Sequence, residues 1–251
     1  MSGPRRDLRR TAELFSAFRA ERHDPARLYT MMARDVVATV AHWQAVRGAD
    51  VLDVGGGPGY VADAFDDAGA TCVTVDPSSA ELALHGRSAQ RAIVADGQRL
   101  PFADATFDVV HCSNVLEHVP APRLLLGELG RCCRPGGVVY LSFTNWLSPW
   151  GGHEISPWHY FGAERAVRRY EARGETVKNV PGESLYRLSI GEVVRWIRDD
   201  DALSLLSLAP RYYPSWARAV VRLPGAREVL TWNLEAVMRR TAYASTHDPH
   251  P

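Results

Sequence analysis

The chain has 251 residues, with 29 Lys plus Arg against 29 Asp plus Glu and a formal net charge of zero. That length suits one large α/β domain, or one domain with a modest appendage. The charge balance excludes the basic excess that a broad nucleic-acid footprint needs, and no apolar run reaches the roughly 20 residues of a membrane span.

The first residues, "MSGPRRDLRRTAELF", are basic but hold no apolar signal core, so a cytoplasmic protein with no transmembrane segment is expected. "AELFSAFRAERH" and "DPARLYTMMARDVVATVAHW" repeat apolar residues at three- and four-residue spacing, which predicts helices across 8–45. Asp24 before Pro25 is a helix start, an N-cap with proline at the first helical position, and Gly48 ends the run. These residues, 1–48, are expected to form an N-terminal helical cap on a main domain spanning 49–251.

Beyond Gly48 the pattern changes to strands alternating with helices. "VLDVG", "TCVTVD", "RAIVAD", "FDVVHCS" and "GGVVYLSF" are strands. "YVADAFDDAG", "SAELALHGRS" and "RLLLGELGRCC" are the helices between them. Short apolar strands separated by amphipathic helices predict a doubly wound parallel sheet. Farther on, "SIGEVVRWIRDD" is a helix capped by Ser189, and "ALSLLSLAPRYY" is a strand. "REVLTWNLEAVMRR" fits a helix by its spacing and a strand by the alternation of Trp232, Leu234, Ala236 and Met238; the strand is favoured. "RYYPSWARAVVRLPG" mixes Arg with aromatics. A solvated helix with one packed face is the favoured use, with peripheral lipid or partner contact as the alternative. "STHDPHP" is expected to be disordered. Cys72, Cys112, Cys132 and Cys133 form no C-x-x-C pair, so reduced, buried thiols are expected rather than zinc ligands or disulfides.

Chemistry is concentrated in "VLDVGGGPGY". Gly55, Gly56, Gly57 and Gly59 follow the first strand directly, where a doubly wound sheet binds ligands and where missing Cβ atoms let backbone approach them. Gly57 to Ala62 also spells G-x-G-x-x-A, which permits a dinucleotide and hence an NAD-dependent oxidoreductase. Three acids bear on the choice. Asp53, Asp76 and Asp96 close three successive strands at one sheet edge, and a carboxylate there can accept two ribose hydroxyl hydrogen bonds.

With "VLDVGGGPGY", "VTVDPSS", "VADGQRLPFADATFDVVHCSNVLEHV" and "LGELGRCCRPGGVVYLS", the chain resembles the class I S-adenosylmethionine-dependent methyltransferases, type 11 group, over about residues 50–145. The segment with "GGHE", "HYF" and "KNVPGESLY" resembles an uncharacterised bacterial branch of that group. The resemblance implies a mostly parallel seven-stranded Rossmann-like sheet with N-terminal helices, and S-adenosyl-L-methionine as cofactor. It implies that Gly55, Gly57 and Gly59 wrap the methionine portion, with Asp53 on its amino group. Asp76 would take the ribose hydroxyls and Pro77 would wall the adenine. Asp96 would accept from the adenine amino group beside Gly97, and Ser113 and Asn114 would line the methionine end. Leu100, Pro101 and Phe102 either pack or touch the ligand.

A sulfonium methyl is electrophilic unaided, so the protein has mainly to aim a nucleophile and exclude water. A base is required only for a nucleophile poorly ionised at pH 7. Candidates are Glu117 and His118 after the fourth strand, and His153, Glu154, His159 and Tyr160 in "NWLSPWGGHEISPWHYF". That stretch belongs to an insertion at about 145–188, expected to cover the acceptor, with Gly151 and Gly152 as its hinge. Its two histidines and glutamate raise a metal site, but no ligand set follows from the spacing and no metal is expected. The expected activity is methyl transfer to a small-molecule or glycan-type acceptor at oxygen, with no nucleic-acid partner. A non-catalytic cofactor-binding interaction protein is the third alternative.

Overall fold

The computed structural model describes residues 6–87 and 89–242; "STHDPHP" lies outside the described residues. Two helices come first, α1 (Leu8–Arg19) and α2 (Pro25–Ala41). Asp7 and Asp24 cap them, accepting from the backbone N–H of Arg10 at 2.7 Å and of Arg27 at 3.1 Å. Each cap satisfies a donor that the first helical turn leaves unpaired. Gly48, at φ 77°, then turns the chain toward the sheet.

The order that follows is β1 (Asp50–Val54), α3 (Tyr60–Asp67), β2 (Thr71–Asp76), α4 (Ser79–Leu82), β3 (Ala92–Val94) and β4 (Phe107–Ser113). Next come α5 (Pro122–Cys132), β5 (Cys133–Phe143), α6 (Ala163–Glu171) and α7 (Ile190–Arg198). The chain ends with β6 (Leu203–Pro210), α8 (Ala226–Leu230) and β7 (Leu234–Arg240). These strands make one seven-stranded sheet in the order β3-β2-β1-β4-β5-β7-β6. It is parallel through β5, and β7 runs antiparallel to both β5 and β6. The order reverses between β1 and β4, and that switch point is where such sheets hold ligands.

Burial on both faces explains the apolar strands. Leu52 and Val54 of β1 join a core with Leu125 and Leu129 of α5 and with Val193 and Ile197 of α7. Val51, on the opposite face, packs with Phe65 of α3 and with Val36 and Val40 of α2. Each such side chain contributes about 1.5–3 kcal/mol by leaving water.

Three elements differ from their sequence patterns. "SAELALHGRS" forms a single helical turn and then a 3-10 turn at Leu84–Gly86, with His85 at φ 59°. Among the described residues of that stretch only Leu82 is buried, and a helix with so little face to pack is not sustained. The third strand covers only Ala92–Val94, so Asp96 stands two residues past its end. "REVLTWNLEAVMRR" is both things in succession: α8 ends at Leu230 and β7 begins at Leu234. Alternation decides β7, because Leu234, Ala236 and Met238 enter one core while Val237 enters the other. Ser215–Arg222 is a 3-10 helix that buries Ala217 and Val221 and leaves Trp216 exposed. Among the described residues, no helix is long and apolar enough to cross a membrane.

A polar network joins the start of the described chain to its last strand. Arg6 Nη2 donates to both carboxylate oxygens of Glu235, at 2.5 and 2.7 Å. Tyr140 Oη donates to Glu235 Oε2 at 2.9 Å, and Arg211 Nη1 donates to Ser142 Oγ at 2.8 Å.

All four cysteines are buried and free. Burial pushes the Cys132 thiol up to about 11 and Cys133 to about 12, and raises Cys72 and Cys112 as well. Since the thiolate is the reactive form, Ellman's reagent should titrate almost no thiol in the native protein and all four after denaturation in guanidinium. Rapid reaction of one thiol in native buffer would show that its segment opens.

Candidate functional site

Asp53 sits within β1, wholly buried, beneath the glycine turn. Its Oδ1 is 2.7 Å from His111 Nδ1, directly across the parallel ladder on β4. His111 Nε2 is in turn 2.6 Å from Ser113 Oγ, and the ring stacks on Tyr140 at 5.2 Å. Asp53 Oδ2 is buried without a partner. Gly56 covers this carboxylate closely: a Cβ there would lie 2.2 Å from Asp53 Oδ2. Gly57 serves the other purpose of glycine. Its φ is 48°, and a Cβ there would meet only Glu81 O, at 3.8 Å.

Asp76 closes β2 and accepts from Ser78 N at 2.9 Å. Burial pushes its carboxyl up, and the amides of Ser78 and Gly57 oppose that shift. Pro77 beside it is exposed. Asp96 is exposed too, and accepts from Gln98 N at 2.9 Å. Gly97 is buried, where a Cβ would come within 3.1 Å of both Leu125 and Val54. Leu100 and Phe102 pack: Leu100 is buried, and Phe102 meets Phe107 edge-on at 5.0 Å. Ser113 ends β4, and Asn114 follows at φ 55°, its Oδ1 accepting from Asn233 Nδ2 at 2.7 Å. A non-glycine residue in that region is strained backbone, which concentrates at functional sites.

The same sheet edge carries a second group. Glu117 and His118 lie on a 3-10 turn (Leu116–His118) just after β4. Glu117 is wholly buried; Oε1 accepts from Thr144 N at 2.9 Å and Oε2 has no partner. Burial pushes its carboxyl up, opposed by His118 and by Thr144 N–H. His118 Nδ1 is 2.7 Å from the Ser184 carbonyl, so Nδ1 carries the proton and donates. His153 packs edge-on against His118 at 4.9 Å between ring centroids, at φ 49°, with Nε2 buried and unpartnered. Burial, with His118 beside it, pushes His153 down to about 4. Glu154 Oε1 accepts from Asn179 at 2.8 Å while its Oε2 is orphaned.

His159 does not join them. Its Nε2 donates to the Trp146 carbonyl at 3.1 Å, and its Nδ1 is 3.5 Å from Ser156 Oγ. Both nitrogens are engaged inside its own segment, and the ring is buried against Trp146 and Tyr160. Tyr160 donates to Leu147 O at 2.9 Å. The glycine pair likewise serves close approach rather than hinge freedom. A Cβ on Gly151 would lie 2.0 Å from Trp146 O, and one on Gly152 2.6 Å from the His159 ring. The segment is fastened at several places: Trp150 stacks on Phe18 of α1, Lys178 pairs with Glu81 of α4 at 2.8 Å, and Tyr186 N donates to Glu117 O.

Sequence reasoning missed His111 and Asn233. His111 was visible as the one histidine embedded in the apolar strand "FDVVHCS", although only strand register pairs it with Asp53. Asn233 carries no local signal.

Residues 52–141 match the family model of a type 11 methyltransferase domain. An uncharacterised methyltransferase of Mycolicibacterium gilvum is 46% identical over 248 residues, covering 94% of this chain and 96% of that protein. One of Mycobacterium tuberculosis is 43% identical over 246 residues, covering 93% and 96%. Among solved structures, an S-adenosylmethionine-dependent methyltransferase of Mesorhizobium loti superposes with a TM-score of 0.57 at 16% identity, covering 83% of this chain and 98% of that one. The [4+2]-cyclase SpnF superposes at 0.52 with 14% identity, covering 83% and 81%. Likeness at that level shows the fold alone, as a cyclase among the neighbours makes plain. The near-full-length relatives carry more, and with them the dinucleotide and non-catalytic alternatives are set aside: the chain belongs to the type 11 family of S-adenosylmethionine-dependent methyltransferases.

Proposed function

We propose that the protein transfers a methyl group to a hydroxyl oxygen of a small-molecule or glycan-type acceptor held beneath residues 145–188. The observation that carries this reading is a set of buried, unpartnered polar atoms on the 3-10 turns that follow β4 and β5: Glu117 Oε2, His153 Nε2 and Glu154 Oε2. Each costs about 1–3 kcal/mol if left unsatisfied. A hydroxylated acceptor both donates and accepts, so it can satisfy a carboxylate and an imidazole together. In this reading His118, His153 and Glu154 orient the hydroxyl, residues 1–48 form a cap on the 49–251 catalytic domain, and free buried thiols suit a cytoplasmic setting.

S-adenosylmethionine supplies a methyl already activated on a sulfonium. The residues at the switch point fit it. Gly57 leaves open space where backbone must approach a ligand, and Asp53 Oδ2 is a buried acceptor awaiting a donor such as an ammonium. We assign Asp53, Gly55, Gly57, Gly59, Ser113 and Asn114 to the methionine end. Asp76 takes the ribose, with Pro77, Asp96 and Gly97 at the adenine. Asp76→Ala should weaken S-adenosylhomocysteine binding by roughly 1.5–3 kcal/mol, the scale of hydrogen bonds to a charged group. Calorimetry that finds unchanged affinity would remove Asp76 from the ribose site.

The acceptor reading is tested by incubating the protein with methyl-labelled S-adenosylmethionine and fractionated bacterial metabolites. A labelled product with its methyl on oxygen, identified by NMR, is the expected result. Label found only on nitrogen, carbon or sulfur would overturn it.

A further inference from the structure

Three donor atoms, one each from Glu117, His118 and His153, lie within 4.8 Å of one another. They come from two separate 3-10 turns, Leu116–His118 and His153–Ile155, brought together by the packing of the segment on the sheet edge. No hydrogen bond links the three. Glu117 spends Oε1 on the Thr144 amide and keeps a buried, unpartnered Oε2. His153 brings an unpartnered, buried Nε2. His118 is prepared differently: Nδ1–H donates to the Ser184 carbonyl at 2.7 Å, which leaves the Nε2 lone pair as its remaining donor. A backbone carbonyl fixing the tautomer and ring of a histidine is the usual outer-shell support of a metal ligand.

Protein groups alone leave Glu117 Oε2 and His153 Nε2 without a partner. A cation bound by all three satisfies every one. Two neutral imidazoles and one carboxylate suit a divalent transition ion such as Zn²⁺, Mn²⁺, Fe²⁺ or Co²⁺. Mg²⁺ and Ca²⁺ prefer all-oxygen donors. Three protein ligands rather than four also leave coordination positions open, as catalytic sites do and structural zinc sites do not. The backbone of His153 supports the assignment, because a histidine held at φ 49° is strain that ligation can offset.

We propose that Glu117, His118 and His153 form a binding site for one divalent transition-metal ion at the mouth of the methyl-transfer site. The ion's open positions take an oxygen of the acceptor, so that Glu117, His118 and His153 reach the hydroxyl through the ion rather than directly; that role rests on the hydroxyl-acceptor reading above, and metal binding itself does not. Such a site departs from the expectation of a metal-free protein drawn from residue spacing. The ligand set is invisible in sequence because Glu117 and His118 join a histidine 35 positions away from His118, outside any recognisable spacing.

Tag-free protein, stripped with chelator and desalted, is titrated with Co²⁺ and then Zn²⁺. Metal content is measured by mass spectrometry and Co²⁺ ligation by its visible absorption. One equivalent bound, with a Co²⁺ spectrum that Zn²⁺ abolishes, is expected. Glu117→Gln and His153→Gln should each weaken binding by more than the roughly 10- to 100-fold typical of losing an outer-shell partner. S-adenosylhomocysteine affinity and melting temperature are measured on the same samples, so a misfolded variant is recognised and the other substitution decides. Failure to bind a stoichiometric ion, or equal binding by both folded variants, overturns the proposal. Metal-free protein that still methylates a hydroxyl at full rate overturns the ion's role at the acceptor while sparing the acceptor reading. Stoichiometric metal with only nitrogen methylation does the opposite.

Discussion

Glu235→Ala should lower the free energy of unfolding by about 3–5 kcal/mol, the cost of removing one partner from a buried ion pair. The Arg6 and Glu235 side chains are only 9% and 3% exposed, and Glu235 accepts two hydrogen bonds from Arg6 and one from Tyr140. Truncation leaves the Arg6 guanidinium, whose Nε and Nη1 already lack partners, as an uncompensated buried charge. It also strips the Tyr140 hydroxyl of its acceptor. Arg6 cannot simply swing away, because its carbonyl accepts from Ser215 N at 3.0 Å. Tyr140→Phe should be much milder, about 0.5–1.5 kcal/mol, because the ion pair survives. Urea unfolding of both variants gives the comparison. A Glu235→Ala loss below that of Tyr140→Phe would mean that Arg6 does not hold the N-terminal helices to the sheet.

His153→Ala and Glu154→Ala should each reduce methyl transfer roughly 100-fold or more, the scale on which misplacing a reactant slows a positioned reaction. S-adenosylhomocysteine affinity should stay close to that of the unaltered protein, because the switch-point residues are untouched. His159→Ala should behave otherwise. It removes the anchor on the Trp146 carbonyl, so its main effect is lost stability of about 1–3 kcal/mol. Single-turnover rates and melting temperatures on all three variants separate the outcomes. If His153→Ala and Glu154→Ala both turn over normally, neither residue faces the acceptor.

The type 11 architecture and the cofactor were legible in the sequence for a local reason. Glycine spacing, strand-end acids and two-sided apolar strands all lie within contiguous stretches, and "VLDVGGGPGY" and "VTVDPSS" place ligand chemistry at strand ends whatever the rest of the chain does. Asp76 could be located this way because Ser78, two residues along the chain, is also its hydrogen-bond partner. Short-range propensity failed where burial was lacking, as in the helix that shrank to Ser79–Leu82.

What the tertiary structure alone decided is which polar groups meet across long separations. Register sets His111 against Asp53 and thereby fixes a carboxylate that the sequence could only nominate. Packing of the 145–188 segment divides its histidines, setting His159 against the Trp146 carbonyl and His153 beside Glu117 and His118. The two histidines part because they stand on separate 3-10 turns, His153–Ile155 and Trp158–Phe161, which pack against different neighbours. A one-dimensional pattern that does not record which face is buried therefore cannot tell an anchor from a ligand.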